Sequence, residues 1–226
     1  VTFSIVGREV SGGTVRFGVA ASSSSPAVAA RVAHLLPGVG AAASQNVTDP
    51  RLGGRLLDRL AEHGDPERAL SEVVAAASGV EFRQLTVLGP TGPGFAFSGA
   101  KTLGNHASAT ADGVVAAGNM LADEQVPQSI VDVFLASTGE LEQRLVTALR
   151  AGLAAGGEEG PVRSAGVVVV SDVDWRITDL RVDWAEDPID RLAGLLDVWL
   201  PQRDDYVTRA LDPGAAPSYG VPGDEG

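Results

Sequence analysis

A hydroxyl and a free amine on one residue make a nucleophile that carries its own base, and the start of this sequence offers that pairing. The chain opens Val1-Thr2-Phe3-Ser4-Ile5-Val6, with no methionine in first place. A valine there is what a GTG start codon gives when translated literally, so the expectation is an initiator residue. Initiators are readily trimmed before a small residue, and the mature chain would then begin at Thr2. A threonine hydroxyl is a weak nucleophile until a base takes its proton, and an α-amine with a pKa of about 7.7–8 suits that task at neutral pH. The alternative is that Thr2 merely opens an edge strand.

Attack on a carbonyl also needs donors aimed at the developing oxyanion. Asn119 closes an apolar, strand-like stretch in Gly118-Asn119 and is the first candidate. Asn105 and Asn46 are second choices, because loop asparagines commonly form turns. Lys101 is the only lysine among the 17 lysines and arginines. Its charge suits holding an amine neutral or binding a substrate carboxylate, while an exposed loop lysine is the simpler reading. Arg163, just ahead of an apolar strand, is a second carboxylate anchor unless it pairs with Glu158 or Glu159 at the surface.

His106 shares a loop with Asn105 and is placed to line a pocket. His34, His63 and His106 are too widely spaced for a metal motif, and His63 suits the C-terminal end of a helix. Ser22 to Ser25 lack the Gly-x-Ser-x-Gly elbow of a serine nucleophile. Gly89 to Gly94 has no following lysine or helix start, so it is a hairpin turn and not a phosphate loop. No metal and no cofactor are expected.

The elements that must position these groups follow from periodicity and punctuation. Residues 2–6 and 15–21 alternate as strands about the turn Ser11-Gly12-Gly13. Residues 27–35 read as a short helix, and the small residues 38–43 as a buried strand. Helices are expected over residues 51–62 and from Pro66, where Asp65 is a good N-cap before a first-turn proline. Residues 82–88 and 95–97 form a hairpin by pattern. A loop with Lys101, Asn105 and His106 leads to a strand over 113–119. Two helices (127–137 and 140–155), strands at 167–170 and 177–182, and a helix over 188–200 complete one domain of residues 1–200. Leu192, Leu195, Leu196 and Trp199 are expected to face inward on that last helix. Residues 201–226, rich in Pro, Gly and Asp, are expected as a loosely ordered tail.

Hairpins alternating with helix pairs favour antiparallel sheets covered by helices over a parallel doubly wound sheet. Composition agrees with a single folded domain: 226 residues, 44% hydrophobic, 20% charged. A net charge of −12 argues against nucleic acid and anionic membranes as partners. With no cysteine, disulfides and thiolate chemistry are excluded. No run is long enough to span a bilayer and no leader is recognisable, so the expected location is the cytoplasm.

The ordered motifs resemble a known family. Thr2-Phe3-Ser4-Ile5-Val6, Phe17-Gly18-Val19-Ala20, Gly38-Val39-Gly40-Ala41, Gly99-Ala100-Lys101, Gly118-Asn119-Met120-Leu121, Ala154-Ala155-Gly156-Gly157 and Asp179-Leu180-Arg181-Val182-Asp183 together are similar to the bacterial and archaeal DUF1028 proteins. They cover nearly all of the chain up to Leu200. The resemblance implies a four-layer αββα sandwich of the N-terminal-nucleophile (Ntn) hydrolase type, and an opening threonine freed by loss of the initiator. It departs at Ser44-Gln45 and Thr48-Asp49-Pro50, where members often show Thr-Gln and Thr-Asn-Pro. Thr102 stands where a cysteine is common, and residues 103–107 lack the usual tryptophan.

These departures touch the pocket more than the fold. Gln45 and Asn46 join Lys101, Asn105, His106 and Arg163 as candidate substrate-binding residues, with Thr2 and Asn119 as the candidate catalytic pair. The reading is an N-terminal-threonine hydrolase acting on a small-molecule or peptide-like amide. The alternative is a catalytically silent protein of the same fold that binds a metabolite or a partner protein. A homodimer is compatible with either.

Overall fold

The computed structural model describes residues 2–223; Val1, whose loss is expected above, and residues 224–226 of the expected tail lie outside the described residues. The chain begins with a hairpin of β1 (Thr2–Ser11) and β2 (Thr14–Ser23). Gly12 and Gly13 join them with φ of 57° and 86°. Two successive left-handed residues make a turn whose twist matches that of paired strands, and glycine adopts it without a Cβ clash.

After β2 come α1 (Ala29–Val32), β3 (Ala33–Leu36), β4 (Gly40–Asn46), α2 (Pro50–His63) and α3 (Pro66–Ala76). Asp49 and Asp65 cap α2 and α3 with their side chains, each followed by a first-turn proline. Four strands then follow: β5 (Arg83–Leu88), β6 (Phe95–Ser98), β7 (Ala107–Ala111) and β8 (Val114–Asn119). The remainder is α4 (Val126–Ala136), α5 (Leu141–Ala154), β9 (Ser164–Val170), β10 (Arg176–Val182) and α6 (Pro188–Leu211).

The strands form two antiparallel sheets, ordered β10-β9-β2-β1-β8-β7 and β3-β4-β5-β6. Three apolar layers hold them together. Phe3 and Ile5 point from the larger sheet toward Ile130, Phe134, Leu145 and Leu149 of α4 and α5 and Leu192 of α6. Val6, Val19, Ala41, Ala43 and Val115 fill the space between the sheets. Leu52, Leu56, Leu60, Leu70 and Val73 of α2 and α3 cover the far side of the smaller sheet. The result is the αββα sandwich expected from the sequence.

Three expectations are corrected. Residues 27–35 are mostly not helical: α1 is one turn and the rest extends as β3, the edge of the smaller sheet. The loop ahead of residue 113 contains β7, the edge of the larger sheet. Thr2 does not open an edge strand, because β1 pairs with β2 on one side and β8 on the other.

The last helix also differs from expectation. It runs through Pro201 to Leu211, with Leu195 turned outward. Glu142, fully buried at the start of α5, accepts from both terminal nitrogens of its neighbours: Arg16 Nη2 at 2.8 Å and Arg203 Nη1 at 3.2 Å. Arg203 Nη1 also reaches Glu140 at 2.8 Å. Thr178 Oγ1 donates to Glu142 at 2.9 Å, and Trp199 Nε1 donates to Thr178 Oγ1 at 3.0 Å. Removing one member of a buried ion pair strands the other's charge, which costs about 3–5 kcal/mol. Arg203→Leu should therefore lower unfolding free energy by about 3 kcal/mol in urea titration; an unchanged midpoint would contradict the anchoring role given to α6.

Candidate functional site

The two-sided pairing of β1 sets polar side chains in a row across four adjacent strands. Thr2 stands opposite Asn119 of β8. On its other flank lies Ser23 of β2, whose Oγ is 3.4 Å from the Thr2 hydroxyl. Ser23 in turn stands opposite Ser164 of β9. Residues opposite one another in a sheet share a face. Since Phe3 and Ile5 face the helices, alternation sends Thr2, Ser4 and Val6 toward the second sheet. Thr2 is 6% exposed and Asn119 is fully buried.

Beneath the row lies a ladder of uncharged side chains that ties the two sheets together. Ser4 Oγ donates to Gln45 Oε1 at 2.6 Å. Gln45 Nε2 donates to Gln84 Oε1 at 2.8 Å and to the Ala117 carbonyl at 3.2 Å. Gln84 Nε2 donates to Ser98 Oγ at 3.0 Å and to the Gly118 carbonyl at 2.9 Å. Asn119 Nδ2 completes the set by donating to Gln84 Oε1 at 3.1 Å. Gln45 and Gln84 are register partners on β4 and β5, so their backbones hold the side chains adjacent. Buried amides are stable only when partnered. Asn119 Oδ1 is the exception, a buried acceptor with no hydrogen-bond partner.

One charged group closes this end of the sheet. Glu158 follows Gly156 and Gly157 and forms an isolated antiparallel bridge with Leu121, two residues past Asn119. It is 4% exposed, and neither carboxylate oxygen completes a hydrogen bond. Burial pushes its pKa up to about 7, against the weaker opposing pull of Ser24 and the positive amino terminus.

The remaining sequence candidates scatter. Gln45 belongs to the ladder. Asn46, at φ 74°, spends its side chain on the loops: Nδ2 donates to the Phe82 carbonyl and Oδ1 accepts from the Leu103 amide. Lys101 is exposed, 3.5 Å from Glu81 and 4.6 Å above the Phe82 ring. Asn105 and His106 are exposed ahead of β7, where Asn105 Nδ2 donates to the Leu121 carbonyl and His106 Nδ1 lies 3.1 Å from the Gly104 carbonyl. Arg163 pairs with Glu186 at 3.7 Å, not with Glu158 or Glu159, while its amide donates to the Ser23 carbonyl at 2.7 Å. Ser23, Gln84 and Glu158 were missed as site residues. Gln84, the one amide among the apolar residues of β5, left a signal in its alternation; Glu158 left none beyond its double glycine.

Surface grooves of about 260 to 840 Å³ occur away from this cluster, the larger between α2 and α3 at Arg55, Arg59, Glu62 and Glu72. Among the described residues no three acidic or imidazole side chains gather as a metal site. No helix there is long and apolar enough to cross a membrane.

A carboxyl whose folded pKa lies above its unfolded value binds its proton more tightly when folded. Its contribution is complete below about pH 4.5 and is lost as pH rises through about 7. Relative to Glu158→Gln, the wild type should therefore lose on the order of 1–3 kcal/mol between those limits. Urea titrations of both proteins at pH 4.5 and 7.5 check this; parallel stabilities would contradict the burial of an unpartnered carboxyl.

Comparison with known proteins places the chain. A family model described as "Family of unknown function (DUF1028)" matches residues 2–192. A crystal structure of a DUF1028 protein from Silicibacter pomeroyi is 30% identical, with TM-score 0.77 over 87% of this chain and 88% of that one. Two weaker likenesses are to Anbu from Hyphomicrobium sp. strain MC1 (a Gly-1 mutant) and to Anbu, an ancestral beta-subunit, from Yersinia bercovieri. The first is 11% identical with TM-score 0.45, over 89% of this chain and 96% of that one. The second is 13% identical with TM-score 0.42, over 88% and 97%. No curated protein matches the sequence. With the family model spanning most of its length, the chain belongs to the DUF1028 family.

Proposed function

We propose that this protein is an N-terminal-threonine hydrolase that cleaves the C–N bond of a small-molecule or peptide-like amide. One observation carries the reading: Thr2 opens an interior strand, held between Asn119 and Ser23 at the polar end of the larger sheet. Loss of the residue ahead of it would leave a free amine beside the hydroxyl. The αββα layering is the arrangement that the Ntn-hydrolase resemblance implies.

In this mechanism the Thr2 amine takes the hydroxyl proton as Oγ1 attacks the carbonyl carbon. The C–N bond then breaks, and the ammonium returns the proton to the leaving nitrogen. The resulting ester is hydrolysed by water, whose proton passes to the same amine and then to Oγ1. Asn119 Nδ2 carries two hydrogens and gives one to Gln84; the second serves the oxyanion. The ladder through Gln84 and Gln45 holds that amide in place. Asn105 and His106, beside Leu121, offer an exposed rim for substrate. Lys101, engaged with Glu81 and Phe82, has no part at the nucleophile.

A second reading has its own support. The near-complete burial of Thr2 favours a catalytically silent protein that binds a metabolite or partner elsewhere. Amide turnover separates the two. A chain beginning at Thr2 should hydrolyse one or more members of an amide panel, and Thr2→Ala should lose roughly 10³-fold in rate. Thr2→Ser should retain measurable turnover. Equal rates in wild type and Thr2→Ala, or none in either, would support the second reading.

A further inference from the structure

Three buried acceptor atoms lie on residues next to the beginning of β1. Asn119 Oδ1 faces the second sheet directly opposite Thr2 and has no hydrogen-bond partner. Glu158 brings two more, Oε1 and Oε2, also without partners although the residue is 4% exposed. Two contacts of Glu158 and one of its neighbour Gly157 locate it. Its backbone bridges Leu121, just past Asn119 on one flank of β1. Its carboxylate feels Ser24, just past Ser23 on the other flank. A Cβ on Gly157 would lie 3.5 Å from the Phe3 ring, on the residue next to Thr2. Glu158 thus lies beside the start of β1, with residues that follow its β8 and β2 neighbours for company.

Leaving acceptors buried without donors is costly, and a carboxylate more so than an amide. A group that suits unpartnered acceptors of this kind is an ammonium, with three N–H donors and a positive charge. We propose that Glu158 and Asn119 Oδ1 form a cage for the α-ammonium of the chain that begins at Thr2. The inference rests on the reading of Thr2 as the mature amino terminus. In that role Glu158 is a positioning residue: it fixes the amine beside the hydroxyl and stabilises the ammonium formed each time the amine takes a proton.

Glu158 is the charged side chain buried at this point. Of the others nearby, Glu159 and Asp123 are exposed, and Arg163 is turned to Glu186. The groups facing Thr2 from β2, β5 and β8 are the uncharged Ser23, Gln84 and Asn119. An adjacent carboxylate raises the pKa of an amine, so catalysis should gain rate with pH into the alkaline range.

The test uses the full chain released from a cleavable fusion so that it begins at Thr2, with a companion carrying one glycine ahead of Thr2. The α-amine is titrated through the pH dependence of its acetylation, read by mass spectrometry. We expect a pKa above the ordinary value of about 7.7–8.0, lowered by about one unit or more in Glu158→Gln. The same pKa in both, with both folded by near-ultraviolet circular dichroism, overturns the cage. If Glu158→Gln does not fold, carbon-13 NMR of the wild-type side chain decides. The Glu158 carboxyl should titrate lower in the Thr2 chain than in the glycine-extended one, and equal values overturn the proposal. Both titrations are independent of turnover. A raised amine pKa without amide hydrolysis keeps the cage and removes the hydrolase; hydrolysis with an ordinary amine pKa does the reverse.

Discussion

The pairing of β1 on both edges is the constraint from which the rest of the site follows. A strand hydrogen-bonded on one side leaves its first residue able to fray. Here Thr2 is in register with Asn119 of β8 and beside Ser23 of β2, so the start of the chain is fixed from both sides. The tight Gly12-Gly13 turn supplies one partner locally. The other comes from β8, on the far side of the four-stranded sheet in sequence. The position of Thr2 is therefore a property of the whole sandwich, although the residue stands at its beginning.

A second constraint comes from polarity. The space between the sheets is apolar over most of its area, with Val6, Val19, Ala41 and Val115 in contact. At the Thr2 end it turns to amides and hydroxyls. Gln84 sits at the centre there, accepting from Gln45 and Asn119 and donating to Ser98 and the Gly118 carbonyl. A network this fully partnered is rigid, because any rotation leaves a buried group unsatisfied. It therefore orients Asn119, whose Oδ1 stays without a hydrogen-bond partner, as do the carboxylate oxygens of Glu158. At the opposite end of the sheet Glu140 and Glu142 with Arg16 and Arg203 form a charged cluster that is internally compensated. The two ends thus differ in kind, one balanced and the other short of donors.

How much of this was legible depended on the range of the interaction. The Asp49-Pro50 and Asp65-Pro66 helix starts, the Gly12-Gly13 turn and the apolar strand at Val167–Val170 are local signals, and their elements stand where expected. The two strands that escaped, β3 and β7, are both sheet edges. Ala107–Ala111 is built from Ala, Ser and Thr with little apolar alternation, and Ala33–Leu36 follows a helical turn without a break. Pro201 suggested an end to α6, but the burial of Arg203 against Glu142 outweighs the hydrogen bond a proline removes. In the site, Thr2, Asn119 and Gln45 were legible from type and motif. Ser23, Gln84 and Glu158 were not, because their neighbours lie far away in sequence and only the two sheets bring them together. The ion-pair partner of Arg163, Glu186, was hidden for a related reason, because it lies 23 positions further along the chain.

The central claim is that Thr2 is a nucleophile once its amine is free, and covalent trapping tests it most directly. The full chain beginning at Thr2 would be incubated with an acylating β-lactone and the modified residue mapped by peptide mass spectrometry. The expected product is a single acyl group on Thr2, absent when one glycine precedes Thr2 and the amine is tied up in a peptide bond. Acylation elsewhere with Thr2 untouched, or equal labelling of Thr2 in both chains, would contradict it.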